Sequence, residues 1–394
     1  MNVLIIADGD IKYGASHSLM QLVKELRKLY SINIKIVVPV NSIMKSKAKN
    51  TDADIICIHY TPFYQGIPFE KWKYAVKFII RGGFYWYGRI RAVKEVERLI
   101  DLDTIDLIHS NSSREDLGAL IAGKHNIPLI WHIREFGDRD YKCYSYRKNY
   151  IDFMNENASW FIAVSDAVKN HWVKKGIAPE KIERIYNGIS QQSIAPKTDY
   201  NVVQDRKSIR MVMMGNVSAT KGQIWAIEAI KRLQDEYIQV TLDIFGDGAR
   251  SYEKKLRRKI REYGIEYLIK FRGYQKNVEN YLPQYDIGLM CSRDEAFGRV
   301  TVEYMMAGLC VIASNTGANS ELIEDGVSGL LYQYGDTSSL ANAIKRCVED
   351  AELRFRLSEQ GRLRAGMEFT ATKNAMQIYN VYEQCICSRS QKNG

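Results

Sequence analysis

Apolar residues along the chain come in short runs separated by longer stretches of mixed polarity. Residues 3–7 (VLIIA), 34–38 (IKIVV), 55–59 (IICIH), 107–110 (LIHS), 129–132 (LIWH) and 160–164 (WFIAV) are brief and rich in β-branched side chains, the pattern of strands buried on both faces. Helix-length amphipathic segments separate them, such as residues 18–29 after a glycine turn at Gly14. Short apolar strands alternating with helices predict a parallel sheet covered on both sides. The pattern stops near Asn187 and restarts at residues 209–215 (IRMVMMG), followed by 240–245, 269–272, 287–291 and 310–313. Between the two series lies SQQSIAPKTDYNVVQDRKS, polar with one proline, which has linker composition. The expected fold class is α/β, with two doubly wound domains facing each other across a cleft. In such sheets ligands gather at the carboxyl ends of the strands, so chemistry is sought in the loops just after them.

Composition sharpens this picture in three places. At 394 residues the chain exceeds what one hydrophobic core usually holds, in keeping with two domains. The run VLIIA is too short for a signal-peptide core, and no later apolar run approaches the ~20 residues of a membrane span, so the expected location is the cytosol. Seven scattered cysteines lack the spacing of a zinc site or a disulfide framework and read as reduced thiols. The net charge of +10 favours an anionic partner: nucleic acid, lipid headgroup or substrate phosphate. No helix-turn-helix, RNP or zinc pattern supports nucleic acid.

The stretch DEAFGRVTVEYMMAGLCVIAS, residues 294–314, carries the most chemistry. After the strand at 287–291, residues 292–298 form a loop, 299–307 a helix ended by Gly308, and 310–313 the next strand. Glu295 stands in that loop, and Glu303 lies in the second turn of the helix. Phe297, Gly298 and Arg299 form the helix start, where unpaired N–H groups and the positive dipole end suit a phosphate. Gly298 lets that phosphate approach the backbone. In the plainer reading, Glu303 pairs with Arg299 four residues earlier and Glu295 is a solvated loop charge.

The E-x7-E spacing of Glu295 and Glu303, with Phe-Gly after the first glutamate and TGANSELIEDGVSGLLY after the second, resembles the donor-site signature of family 4 glycosyltransferases, which have the GT-B fold. The resemblance covers nearly the whole chain and is strongest over residues 210–332. It implies three parts: residues 1–195 as a Rossmann-like acceptor-binding domain, 206–370 as a Rossmann-like nucleotide-sugar domain, and 371–394 as a helix crossing back to the first domain. It also implies roles. Glu303 accepts from the ribose hydroxyls, Glu295 sits by the donor sugar, and the helix start at Phe297, Gly298, Arg299 and Val300 holds the diphosphate. MGNVSATKG (214–222) is similar to the family's phosphate-binding segment, with Lys221 neutralising the departing diphosphate. Asn216 stands where the family usually has arginine, so Arg299 or Arg293 is expected to supply the missing charge. FGDGAR (245–250) resembles a glycine turn against the nucleotide at Gly246, and FRGY places Arg272, Gly273 and Tyr274 at the base edge. DGDIKYGASHSL matches a glycine loop with Gly14 at its centre, where Ala15 replaces the family's frequent second glycine. LIWHIREF sets His132 at a strand end, similar to the family histidine beside the donor sugar, and RIYNGIS brings Asn187 and Gly188 to the domain junction.

The reaction so implied is retaining transfer of a hexosyl or N-acetylhexosaminyl group from a nucleotide sugar, UDP-linked or GDP-linked, to a hydroxyl acceptor, in cell-surface polysaccharide or glycolipid assembly. The alternative is a non-catalytic nucleotide-sugar-binding partner subunit, prompted by Asn216 and Ala15. Three D-x-D triplets, Asp8 and Asp10, Asp52 and Asp54, and Asp101 and Asp103, fit a motif of metal-dependent transferases. The motif is too short to be specific, and no metal or other cofactor is expected; Lys221, the glycine-loop termini and arginines would stabilise the leaving group. On the acceptor side, residues 71–94 (KWKYAVKFIIRGGFYWYGRIRAVK) hold seven lysines and arginines, no acid and seven aromatic residues. That stretch suits peripheral contact with an anionic membrane or a lipid-diphosphate acceptor, or, more plainly, a helix pair with its apolar face in the core.

Overall fold

The computed structural model describes residues 1–7, 14–42, 53–61, 64–66, 72–137, 143–191, 194 and 208–393. Asp8, Asp10, Asp52, Lys71 and most of the 190–208 segment lie outside the described residues. The chain divides into two units, Met1–Gly188 with Ala371–Gly394, and Ile189–Thr370.

The first unit runs β1 (Asn2–Ile6), α1 (Gly14–Leu29), β2 (Asn33–Pro39), β3 (Asp54–Ile58), β4 (Tyr64–Gly66), α2 (Trp72–Leu99), β5 (Leu107–Ser110), α3 (Leu117–His125), β6 (Leu129–Ile133), β7 (Cys143–Ser145), α4 (Tyr150–Asn157), β8 (Trp160–Ala163), α5 (Asp166–Lys174) and β9 (Ile182–Arg184). Seven strands form one parallel sheet in the order β3-β2-β1-β5-β6-β8-β9, and β4 pairs antiparallel with β7. The chain therefore builds outward from β1 through β2 to β3, then returns to β5 and builds the other way, which puts a switch point between β1 and β5. Leu19, Leu22, Val23 and Leu26 recur at helical spacing and seat α1 on Val3 and Ile5. The helix Ala371–Asn393 belongs to this core through Ile378, Val381 and Tyr382, and Tyr379 stacks on Tyr30 with ring centroids 3.6 Å apart.

Helix α1 begins at Gly14, four residues before the expected start, so Gly14 is the first helical residue rather than a turn ahead of it. The first turn, Gly-Ala-Ser-His, has no apolar periodicity and hides the start. Residues 72–99 form one continuous helix, not a pair. The inward face of α2 runs unbroken through Tyr85, Arg89, Ala92 and Val96 past Gly88. At Gly82 a Cβ would meet the Tyr146 ring at 3.4 Å, so the glycine there admits a neighbour and does not break the helix.

The second unit runs β10 (Ile209–Met214), α6 (Gln223–Asp235), β11 (Val240–Phe245), α7 (Arg250–Tyr263), β12 (Ile269–Gly273), β13 (Ile287–Met290), α8 (Arg299–Met306), β14 (Cys310–Ser314), α9 (Asn319–Leu322), β15 (Leu330–Tyr332), α10 (Thr337–Glu349) and α11 (Ala351–Glu368). Its six-stranded parallel sheet has the order β12-β11-β10-β13-β14-β15, with the switch point between β10 and β13. Met211, Met213, Leu242, Ile244, Ile287 and Leu289 form one core face against Ala226, Ile227 and Ile230 of α6. The opposite face carries Tyr304, whose ring lies over Gly288; a Cβ there would fall 2.3 Å from the ring. The Met214 N–H donates to the Tyr304 hydroxyl at 2.7 Å. Strands β4, β7, β9 and β15 were not expected, because each has only three residues and too few positions to show a period.

Candidate active site

In the second unit the loops leaving β10 and β13, the strands flanking the switch point, are built on each other. Gly222 has φ +70 and a Cβ on it would fall 2.0 Å from the Cys291 carbonyl oxygen, so only glycine lets the turn after β10 close on the loop after β13. The Arg293 N–H donates to the Thr220 carbonyl at 2.9 Å, completing that seam. Gln223, at the start of α6, donates to the Asn216 carbonyl at 2.9 Å and accepts from the Ser218 N–H at 3.3 Å, fixing the turn that delivers Lys221. From the other side Gly317 presses on the Glu295 backbone, where a Cβ would lie 2.5 Å from its carbonyl oxygen, and the Ala318 N–H donates to that oxygen at 2.8 Å. The TGANS segment thus acts as a template for the loop that carries Glu295.

Two ion pairs occupy the seam. Lys221 Nζ meets Glu295 Oε1 at 2.5 Å, and Arg299 Nε donates to Glu303 Oε1 at 2.7 Å. The second is the i,i+4 pair of the plainer reading. It leaves Arg299 Nη1 buried with no hydrogen-bond partner among the described residues. Such a donor is costly to leave unmet and fits an acceptor that comes from outside the chain. Burial pushes the Glu303 carboxyl above the usual carboxylate range; Arg299 opposes the rise and Glu279 adds to it. Gly298, with φ +84, is the residue before α8, and Thr301 Oγ1 donates to Asn319 Oδ1 at 2.9 Å beneath it. Phe297 is buried edge-on to Phe369, and Val300 is half-buried in the first turn of α8.

The remaining expected nucleotide residues continue the same sheet edge. Gly246, φ +124, leaves no room for a Cβ, which would fall 2.0 Å from the Gly215 carbonyl oxygen; the Val217 N–H donates to the Asp247 carbonyl at 2.9 Å. The Gly246 N–H donates to the Gly273 carbonyl, and Asp247 Oδ1 accepts from the Tyr274 N–H at 3.1 Å. The Tyr274 ring is exposed. Asn216 is exposed too, and its carbonyl rather than its side chain takes part in the turn. Arg272 sits at a register shift between β11 and β12 and turns to Asp243, which it meets at 3.0 Å and which also accepts from the Tyr285 hydroxyl at 2.7 Å. Of the two arginines expected to replace the missing cation, Arg299 lies at the helix start, whereas Arg293 is half-exposed and engaged with Asp294 at 2.9 Å.

In the first unit His132, at the end of β6, is fully buried in a network that sequence reasoning did not find. His132 Nδ1 lies 3.2 Å from His109 Nε2, and His109 Nδ1 lies 2.6 Å from the Tyr382 hydroxyl of the last helix. Arg134 donates to Asn111 at 2.8 Å and to Asn187 at 2.6 Å, and its Nη2 stands 3.4 Å from His132 Nδ1. The loop bearing Asn111 is pinned by the Glu135 carboxylate, which accepts from Ser112 Oγ, Ser113 N and Ser113 Oγ at 2.8, 2.7 and 2.6 Å. Burial, then the Arg134 charge, holds both imidazoles neutral: His109 is pushed down to about 3, and His132 well below its ordinary value. A guanidinium N–H facing His132 Nδ1 makes that atom the acceptor, so the geometry sets one chain of donors: Tyr382 O–H to His109 Nδ1, His109 Nε2–H to His132 Nδ1. The remaining proton then sits on His132 Nε2, which is buried without a partner among the described residues. Gly14, the other expected residue of this unit, is exposed at the start of α1. Among the described residues no three His, Cys, Asp or Glu side chains gather as metal ligands would. Asp101 instead caps the short turn that includes Asp103, accepting from its N–H at 3.2 Å.

Two family models divide the chain between them: Glycosyltransferase Family 4 over residues 14–192, and Glycosyl transferases group 1 over residues 198–364. The chain belongs to the group 1 glycosyltransferases. This glycosyltransferase is 27% identical over 302 residues to an uncharacterized glycosyltransferase of Methanocaldococcus jannaschii, covering 75% of this chain and 80% of the relative. It is 26% identical over 253 residues to the N-acetyl-alpha-D-glucosaminyl L-malate synthase of Bacillus anthracis, covering 62% of this chain and 64% of the relative. Over 320 residues it is 22% identical to the UDP-Gal:alpha-D-GlcNAc-diphosphoundecaprenol alpha-1,3-galactosyltransferase of Escherichia coli, covering 76% and 82% of the two chains. The crystal structure of Anabaena HepE in complex with UDP superposes with a TM-score of 0.80 at 22% identity, covering 98% of this chain and all of that one. The glycosyltransferase thus has the GT-B fold expected from its sequence, two Rossmann-like units each on a parallel sheet.

Proposed function

We propose that the chain transfers a sugar from a UDP-sugar to a hydroxyl of a glycan or lipid-linked acceptor, with retention of anomeric configuration and without a metal. The observation that carries the donor reading is the switch-point seam of the second unit, where two cations, Lys221 and Arg299, and two carboxylates, Glu295 and Glu303, converge with a buried guanidinium donor left unmet. The choice of UDP is supported by Anabaena HepE, solved with UDP and with UDP-glucose, and by the E. coli relative, named for a UDP-galactose donor and a diphosphoundecaprenol-linked acceptor.

In this reading the second unit binds the nucleotide sugar and the first the acceptor. Glu303 takes the ribose hydroxyls, and the start of α8 at Phe297, Gly298 and Val300 takes the diphosphate through its N–H groups. Gly246, Gly273 and Tyr274 line the base, and Asn216 offers backbone only. Bond cleavage leaves charge on the diphosphate; Lys221 exchanges Glu295 for it, and Arg299 meets it with its unused N–H. Glu295, released from Lys221, orients the sugar. The His132 Nε2–H donates to a sugar hydroxyl and stays neutral throughout. In this reading the acceptor hydroxyl attacks on the face the diphosphate leaves, and its proton passes to the departing diphosphate oxygen.

The test is a screen of UDP-glucose, UDP-galactose and UDP-N-acetylglucosamine for UDP release with chelator present. Turnover of at least one, lost in Lys221→Ala, is the expected result. UDP-sugar binding without turnover of any would favour a non-catalytic binding subunit, the reading that Asn216 suggests. Binding of none would overturn the donor assignment.

A further inference from the structure

Helix α2 is apolar on two opposite faces, and among the described residues only one of them is packed. Its inward face is locked by Arg89, buried and paired with Glu115 at 3.0 Å and Asp116 at 2.7 Å, while Tyr85 donates to Asp116. Phe78 and Tyr85 stack on Tyr146 along the same side. A buried pair of this kind cannot be rotated into solvent without uncovering charge in the core, so the orientation of the helix is fixed. On a helix of 3.6 residues per turn, Val76, Ile79, Ile80, Phe84, Tyr87 and Ile90 then point the other way, and they are between 46% and 72% exposed. A contiguous exposed apolar stripe marks an interaction site.

Charge decides the partner. The stripe is bordered by Lys77, Arg91 and Lys94, the Arg91 guanidinium lies 5.9 Å from the centre of the Tyr87 ring, and no acidic residue falls between 71 and 94. Of the seven cations in that stretch Arg89 is spent inward, and those on the outer side flank aromatic and branched side chains. Aromatic and aliphatic groups on one face with lysine and arginine along the border is the arrangement of a helix that lies in the headgroup plane of a negatively charged bilayer. Among the described residues no helix is long and apolar enough to cross a membrane. We infer that the outer face of α2, residues 76–94, docks flat on an anionic lipid surface, apolar side chains among the acyl chain ends and cations on the headgroups. This inference stands apart from the donor reading.

The test is sedimentation of the full chain with vesicles of phosphatidylglycerol and phosphatidylcholine in equal parts, against phosphatidylcholine alone, at low and high salt. Retention on the anionic vesicles at low salt, at least tenfold above the neutral ones and released by salt, is expected. Lys77→Gln with Arg91→Gln should weaken partitioning about twenty-five-fold, about fivefold for each cation near the surface. Ile79→Ser, Phe84→Ser and Ile90→Ser together should abolish it while leaving UDP affinity and melting temperature unchanged, because these side chains face out. Equal recovery from both vesicle types would overturn the inference. So would a dimer in solution that the triple variant splits, since the stripe would then be the seat of a second copy.

Discussion

In the second unit the charged groups of the site stand in pairs at a loop seam, with side chains between 12% and 33% exposed: Lys221 with Glu295, Arg299 with Glu303. In the first unit His109, His132, Arg134 and Tyr382 are all buried, and the two imidazoles are held neutral by desolvation and by Arg134. The contrast teaches how one fold prepares two kinds of contact. Partly solvated ion pairs are worth little in themselves and can trade a partner for a ligand of the same sign at small cost. A buried neutral network cannot rearrange so cheaply; its effect is to hold a single polar atom, His132 Nε2, in one protonation state and one direction. The first arrangement suits a diphosphate whose charge grows during the reaction, the second a hydroxyl whose charge does not change.

Breaking the paired side should cost most. Lys221→Ala removes the ammonium that meets Glu295 in the seam, and turnover should fall by about 10²–10³, as when a donor aimed at developing charge is deleted; UDP-release assays check it. A fall in KM-type affinity alone, with turnover intact, would mean that Lys221 only binds.

The buried side should show itself first through pH. His109 binds its proton at about 3 in the folded chain and near 6.5 when unfolded. Below about 6.5 the unfolded state therefore takes up a proton that the folded state refuses, and stability is lost as pH falls toward 3. Between pH 7 and 5 this histidine alone accounts for about 2 kcal/mol, and His132 acts in the same direction. His109→Gln should shrink the loss measured by denaturant titration at the two pH values; an unchanged pH dependence would mean that the imidazole is not desolvated. Tyr382→Phe is subtler, since it deletes only the hydroxyl that donates to His109 Nδ1. Turnover should drop about threefold to tenfold with UDP affinity constant, and the nitrogen NMR signal of a protonated His132 Nε2 should weaken. No change in that signal would mean that the His132 tautomer does not depend on the Tyr382 hydroxyl.

The sequence made some of this legible and hid the rest for physical reasons. Strands buried on both faces, such as VLIIA and LIWH, read as apolar runs, while β9 and β15, three residues each, show no period. Post-strand loops were recognisable because Gly222, Gly246 and Gly298 stand where the backbone turns to positive φ. Gly317 stands within the TGANS motif, yet its packing on the Glu295 backbone is a contact across 22 positions that no local pattern encodes. The histidine network was invisible for the same reason: Tyr382 lies 273 positions from His109. For α2 the composition was plain, but two apolar faces look alike in a sequence, and only Arg89 against Glu115 and Asp116 tells which one faces in.

The central claim is that the seam between the β10 and β13 loops holds a uridine nucleotide through Glu303. Calorimetric titration of UDP into the wild type and Glu303→Ala tests it most directly. Binding to the wild type, weakened about tenfold or more in the variant as expected for a charge-assisted pair to the ribose, is the predicted result. Equal affinity of the two proteins for UDP, with Glu303 still satisfied by Arg299 alone, would contradict it.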